Sequence, residues 1–353
     1  MQKPKLLIVD KYQFGYLIDV YKWCKYLRNE YDITVLCFDS GDKKQDLDGV
    51  NVRYVGYGGS VAIRGIRFVL QALWQILTFR GTVLVEYFEH CIWLKKLLPF
   101  KKMILDVRTI AVWGTQQDRD KYDGEIEQAC KKYDVVSVIS KGVMKRLNRT
   151  EDNTHILPLG ADVISDTDKK IDSLRLIYVG TFDGRHIDKT IKAVAEFHRE
   201  FPTIPITYDI IGDGHHNELS QYKEMVRSLS LDDIVVLHGR IPNTELKPYF
   251  DKANIGVSFV PITNYYNIQP PTKTFEYVLS GLYTIATKTE ENKAIVNSDC
   301  GYLIKDTEED FIRALIYIWQ NRGDIDSKTV REEMVKYNWR NIVENDLENI
   351  LRQ

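Results

Sequence analysis

The chain has 353 residues, 44% hydrophobic and 28% charged, which excludes a disordered or fibrous polymer and favours two domains over one core. Its 48 basic and 50 acidic residues nearly cancel, so no field of the whole molecule draws it to nucleic acid, and any basic surface is local. The five scattered cysteines (Cys24, Cys37, Cys91, Cys130 and Cys300) form no CxxC pair and have no histidine at ligand spacing, as expected of buried thiols in a reducing compartment.

The opening MQKPKLLIVD carries too short an apolar run for a signal peptide, and no run approaches the length needed to span a bilayer; a cytoplasmic protein is expected. Short β-branched runs follow in series: KLLIVD, ITVLCF, VNVRYV, TVLVEY, MILDV and VVSVIS. Near-continuous apolar strands are what a parallel sheet covered on both faces requires. Candidate helices lie between them, Leu17 to Leu27 and Ala62 to Thr78 among them. The second carries Arg64, Arg67 and Trp74 and is followed by Arg80; KKLLPFKK (Lys95 to Lys102) adds basic charge beside Phe100. Basic and apolar residues so mixed suit a surface resting on an anionic membrane, at the inner face of the plasma membrane. The competing reading is an ordinary packed helix with snorkelling arginines.

After Asp162 the sequence turns polar, DVISDTDKKIDS, a domain boundary. The pattern then restarts with LRLIYVG, ITYDIIG, IVVLHGR, IGVSFVP and LYTIAT, and Asn243 is placed to cap one of the intervening helices. Two βα series predict an α/β protein of two Rossmann-like, doubly wound parallel sheets facing across a cleft. The expected domains are residues 1–163 and 164–335. A charged amphipathic tail, 336–353, has Trp339, Ile342 and Val343 on one face and is expected to cross back to the first domain.

Ligands of open α/β sheets bind beyond the carboxyl ends of the strands, so the residues there are the candidates. After LRLIYVG, Gly180 and Gly184 allow a tight loop; Ile187, Ile191, Val194 and Ala195 then form an apolar helical stripe. That leaves Arg185, His186 and the helix-start N–H groups for a phosphate. After IVVLHG, the backbone of Arg240 and Ile241 offers a flat pocket for a nucleobase, though a plain strand-to-helix turn explains it as well. In NIQPPTKTFEYVLSGLYTIAT, Pro271 suits a first helical position and Gly281 a C-cap. Phe275, Val278 and Leu279 face inward, while Lys273 and Glu276 share another face. The helix start offers cation and dipole to an anion, and Glu276 can accept two hydrogen bonds from a ribose diol. Neither G-x-G-x-x-G after the first strand nor GxxxxGK[ST] is present, and the adjacent His215 and His216 make a poor metal site. What remains is a nucleotide diphosphate bound by the second domain.

Taken as an ordered set, YVGTFDGRHIDKTIKAV, IIGDG, LHGRIPNTEL, PPTKTFEYVLSGLYTIAT and YNWRNIVENDL resemble the second domain of retaining glycosyltransferases of family 4, which have the GT-B fold. FGYLIDV, MILDVRT, VVSVISKGVMKRL and HILPLGAD resemble the corresponding acceptor-side domain, so the resemblance covers nearly the whole chain. It implies sugar transfer from a UDP- or GDP-sugar, with no other cofactor and no metal, to a saccharide or lipid-linked saccharide of surface polysaccharide assembly. By the same resemblance, Glu276 matches the second carboxylate of the family's E-x7-E motif, and Lys273, with Thr274 beside it, lies close to the diphosphate. Arg185 and His186 match its phosphate-binding basic residues, and Gly15 matches its first-domain glycine loop. His90, Asp106 and Arg108 are implied acceptor or sugar contacts.

The chain departs from the pattern in three places. The first glutamate of E-x7-E falls on Ile268, which leaves sugar contacts to backbone groups or to the neighbouring amides of Asn267 and Gln269; Thr181 and Arg108 stand where an arginine and a histidine are common. Two other classes fit parts of the pattern. A nucleotide-sugar epimerase needs more acids and histidines around the sugar than the sequence offers. A non-catalytic nucleotide-binding partner accords with the missing glutamate.

Overall fold

A computed structural model describes residues 3–353 and divides into two compact units. Unit 1 runs to Leu159 and regains the chain at Trp339–Gln353; unit 2 is Gly160–Asn338.

Unit 1 holds strands β1 (Lys5–Val9), β2 (Asp32–Asp39), β3 (Val50–Gly56), β4 (Thr82–Glu86), β5 (Ile104–Val107), β6 (Val135–Val138) and β7 (His155–Ile156). Its helices are α1 (Ile18–Leu27), α2 (Val61–Thr78), α3 (Ile92–Leu97), α4 (Gln116–Cys130) and α5 (Lys141–Arg146). The strand order is β3-β2-β1-β4-β5-β6-β7, all parallel. Leu6, Leu7, Ile8 and Val9 have no exposed surface, as central strands covered on both faces must. The helix starts are set locally: the side chains of Ser60, Thr115 and Ser140 each accept a backbone N–H from three residues on.

Unit 2 repeats the plan with β8 (Leu174–Val179), β9 (Ile206–Ile211), β10 (Val235–Gly239), β11 (Ile255–Ser258), β12 (Tyr283–Thr287) and β13 (Gly301–Ile304), in the order β10-β9-β8-β11-β12-β13. Its helices are α6 (Ile187–Glu200), α7 (Glu218–Ser228), α8 (Lys247–Lys252), α9 (Thr272–Leu279), α10 (Glu290–Ile295), α11 (Glu308–Gln320) and α12 (Ser327–Glu332). In each sheet the first strand has its second neighbour on one side and a later strand on the other. The switch points lie between β1 and β4 and between β8 and β11. Crevices for ligands open at such points.

Several expectations are revised. The strands β7 and β13, two and four residues long, are added at sheet edges. Asn243 opens a short 3₁₀ turn rather than capping α8, which begins at Lys247. On α6 Ala193, not Ala195, joins the fully buried stripe. The polar stretch after Asp162 is bound into unit 2 rather than free as a linker. Within it, Lys169 Nζ donates to the Phe250 carbonyl and to Ser165 Oγ, and burial pulls its pKa down to about 8. Helix α2, with 18 residues, does have the length and apolarity of a membrane span. Both its ends lead into strands of one sheet, and Phe68, Ala72 and Ile76 are buried against the unit, so it serves as a crossover helix.

The tail returns to unit 1 as α13 (Trp339–Asn341), a π-helical turn (Ile342–Leu347) and α14 (Glu348–Leu351), packed on α1. Trp339, Ile342, Val343 and Leu347 are buried there, and Arg340 lies over the Tyr26 ring. Trp339→Ala is therefore expected to cost about 3–5 kcal/mol. In calorimetry this should lower the melting of unit 1 while an unfolding transition of unit 2 stays in place.

Candidate functional site

The unit 2 switch point is bordered by the loop after β8, residues 180–186, and the loop after β11, residues 259–271. Two glycines shape it. Gly212 has φ 151°, and a Cβ there would stand 1.9 Å from the Gly180 carbonyl oxygen, so at this point the loops after β8 and β9 meet backbone to backbone. Gly180 has φ 152° and donates its N–H to Ile211; a Cβ on it would come within 2.6 Å of Lys273 Nζ. The missing side chain at 180 is thus the space the lysine ammonium fills.

Lys273 reaches that space from the first turn of α9, its Nζ 3.7 Å from the centre of the Tyr178 ring. The residue is only part-buried. Burial, and next the charge of Arg185, hold its pKa well below the usual lysine value, against the pull of Glu276. Arg185 lies flat on the Tyr266 ring at 4.1 Å, and its Nη1 is buried without a hydrogen-bond partner. Two cations so close repel one another, and an enclosed unpaired donor costs roughly 1–3 kcal/mol. An anion between them would relieve both costs.

Helix starts add to the field. Both α6 and α9 begin at the carboxyl edge of the sheet, after His186 (φ 54°) and Pro271, and no side chain caps either one. Pro271 is the residue before the first turn, not within it. Asp183 stiffens the loop: His215 donates its backbone N–H and stands 2.9 Å away through Nδ1, and Thr181 donates its hydroxyl at 2.8 Å. These bonds, the His215 N–H foremost, hold the Asp183 carboxyl well below its ordinary pKa.

The structure therefore brings Gly180, Arg185, Lys273 and Glu276 together, while His186 stands exposed at the start of α6. Ile241, after β10, packs on the cluster of Ile177, Phe250 and Tyr277, while Arg240 is exposed beside it. Gln269 donates to the Tyr265 carbonyl and Asn267 accepts the Glu290 N–H, so these amides hold the loop in shape. Thr274 is turned inward, with no exposed surface, between Ser258 and Asn292.

At the switch point of unit 1 the chemistry is inverted. Asp10 follows β1, Glu86 ends β4, and Asp106 pairs in register with Glu86 on β5; all three are buried. Ser137 donates to Asp106, and Arg108 lies buried between Asp106 (3.7 Å) and Asp19 (2.7 Å), donating also to the Leu157 carbonyl. Asp106 and Arg108 are thereby bound to each other and to the unit's interior instead of being presented to an acceptor. Burial raises Asp10 to about 7 and Asp106 to about 6, and lifts Glu86 well above its ordinary range. Gly15, in the loop after β1, accepts from Gln45 through its carbonyl, and His90, after β4, is exposed with φ 72°. Among the described residues no group of three or more His, Cys, Asp or Glu is set to hold a metal ion.

Sequence reasoning passed over the aromatic beds Tyr178 and Tyr266 and the acids Asp10, Asp19 and Glu86. A signal for the acids was present, since KLLIVD and TVLVE both end apolar strands on a carboxylate.

Residues 173–321 match the model of the family described as glycosyl transferases group 1. No match is found among curated proteins. Among solved structures the chain is similar to sucrose-phosphate synthase from Thermosynechococcus elongatus, with 15% identity, 99% of each chain covered and a TM-score of 0.80. It is similar to Anabaena HepE in complex with UDP and glucose, with 12% identity, 99% of this chain and 100% of that one covered, and a TM-score of 0.74. It is also similar to the lipopolysaccharide outer core galactosyltransferase WaaB, with 12% identity, 99% of each chain covered and a TM-score of 0.73. These likenesses establish the fold as two parallel-sheet α/β domains of the GT-B type.

The pH behaviour of Asp10 is open to test. Its native pKa is raised above the unfolded value, so the native state keeps a proton that the unfolded chain releases, and stability falls as pH rises from about 4 to about 7. Asp10→Asn keeps the acceptor for the Tyr12 N–H and removes the titration. The variant should match the native chain in urea at pH 4 and exceed it by on the order of 4 kcal/mol at pH 8.

Proposed function

We propose that the chain is a glycosyltransferase that moves a sugar from a nucleotide diphosphate sugar to a hydroxyl acceptor. One observation carries this reading: two basic side chains, Arg185 and Lys273, stand at the unit 2 switch point, Lys273 in the space left by Gly180 and Arg185 with its buried Nη1 unpaired. The family match over unit 2 and the UDP bound by Anabaena HepE support it.

In this mechanism the bond between the anomeric carbon and the diphosphate breaks, and the developing charge is neutralised by Arg185, Lys273 and the starts of α6 and α9. The acceptor oxygen bonds to the anomeric carbon from the side the phosphate leaves, and its proton passes to the departing phosphate oxygen. Configuration is retained, and neither a general base nor a metal enters the scheme. Glu276 takes the ribose diol, and the backbone at Arg240 and Ile241 borders the base. The base is uracil or guanine, and the acceptor is a saccharide or lipid-linked saccharide of surface polysaccharide assembly on the cytoplasmic side of the membrane. The galactosyltransferase neighbour acts on such a material, which favours that class.

Calorimetry with UDP, GDP and their sugars checks the assignment. Glu276→Gln should weaken nucleotide binding about tenfold and Lys273→Ala by about 10- to 100-fold, the range of a hydrogen bond to a charged group. Unchanged affinity in both would remove the reading. Diphosphate should also raise the depressed pKa of Lys273. Binding then takes up a proton between the free and bound pKa values, and affinity declines as pH rises through that window. Heats measured above pH 7.5, in buffers of different ionisation enthalpy, reveal the uptake, because the phosphate's own pKa of about 6 lies below this range.

A further inference from the structure

The strongest unassigned feature lies in unit 1. Helix α2 turns Ile63, Ile66, Leu70, Trp74 and Leu77 outward, each more than half exposed, at the spacing of one helix face. The adjoining α3 and the turn after it add Trp93, Leu97 and Phe100. Exposed apolar side chains this dense mark a binding surface rather than chance. Its charge is one-sided: no acid occurs between Ser60 and Thr82, while Arg64, Arg67, Arg80, Lys96 and Lys102 are distributed along it. Arg64 stacks on Tyr57 and Lys96 on Trp93, an arrangement of aromatic body and cationic head suited to a lipid boundary.

A groove of about 840 Å³ opens beside α2, floored by Phe68 and Phe88, with Gly65 and Leu73 of α2 on one side and Trp93 and Leu97 of α3 on the other. It continues to Gln13 and His90 at the carboxyl ends of β1 and β4, the unit 1 switch point. The charged groups along it are Lys11 and Arg64 against Asp42 and Glu89. The groove is thus apolar along one end and polar at the other, the pattern of an amphiphile.

We propose that α2 and α3 rest unit 1 on an anionic bilayer and that the groove seats the hydrocarbon chain of a lipid drawn from it. A second copy of the chain is a poorer occupant: face to face it would set Arg64, Arg67 and Lys96 against their own like, with no acid on α2 to meet them. That this lipid is the sugar acceptor rests on the transferase reading; the binding itself does not.

Flotation of the full chain with vesicles of phosphatidylcholine, alone or mixed with phosphatidylglycerol, tests the surface. The chain should rise with the mixed vesicles only. Leu70→Ser with Trp74→Ser, or Arg80→Glu with Lys96→Glu, all exposed positions, should lower the bound fraction tenfold or more. Calorimetry with dodecyl phosphate and with inorganic phosphate tests the groove. Gly65 lines the groove and a Cβ on it meets nothing within 4 Å, so Gly65→Phe is the variant chosen to fill it. It should keep flotation and abolish dodecyl phosphate binding. No flotation, equal flotation with pure phosphatidylcholine, or concentration-dependent dimers in place of vesicle binding would overturn the surface. Dodecyl phosphate binding unchanged in Gly65→Phe, or matched by inorganic phosphate, would overturn the groove. UDP and GDP titrations on the same samples keep the two proposals apart, since either can fail while the other stands.

Discussion

The close approach of Gly180 to Lys273 is the constraint from which the rest of unit 2 follows. An ammonium held against a tyrosine ring and near a second cation is costly, and burial with the charge of Arg185 lowers its pKa. Gly212 presses the loops after β8 and β9 together, Asp183 ties them through His215, and Tyr277, with its hydroxyl on the Val179 N–H, fixes α9 against β8. A site preorganised in this way meets a developing negative charge without rearranging.

Much of this arrangement was legible in the residues. Apolar runs located the strands, because a strand buried on both faces has little freedom in composition; only β7 and β13 escaped, being short and at edges where such runs are not required. Lys273 and Glu276 could be placed on one helix face from their spacing alone. The aromatic beds could not, since Tyr178 and Tyr266 are 88 positions apart in the chain's numbering and come together only through the crossing between β8 and β11. Thr274 shows the converse limit. Its neighbours invite a functional role, yet helical rotation turns its hydroxyl to Ser258 and Asn292. Asp106 and Arg108 were named from the resemblance as acceptor contacts, but their partners Asp19 and Glu86 are contributed by two other segments.

The two switch points share a plan and differ in sign. The position after the first strand is Asp10 in unit 1 and Gly180 in unit 2. In one case a carboxyl closes the strand ends, and burial leaves it and its neighbours competing for protons and a single guanidinium. In the other a bare backbone admits cations from the loop after β8 and the first turn of α9. A diphosphate brought to the first would add charge to a place that already resists ionising; brought to the second, it relieves a repulsion. The asymmetry of two similar folds therefore supports the proposal that the anion binds unit 2. The surface beside the unit 1 switch point is aromatic and aliphatic, a chemistry that accords with the lipid chain proposed for its groove and not with a phosphate.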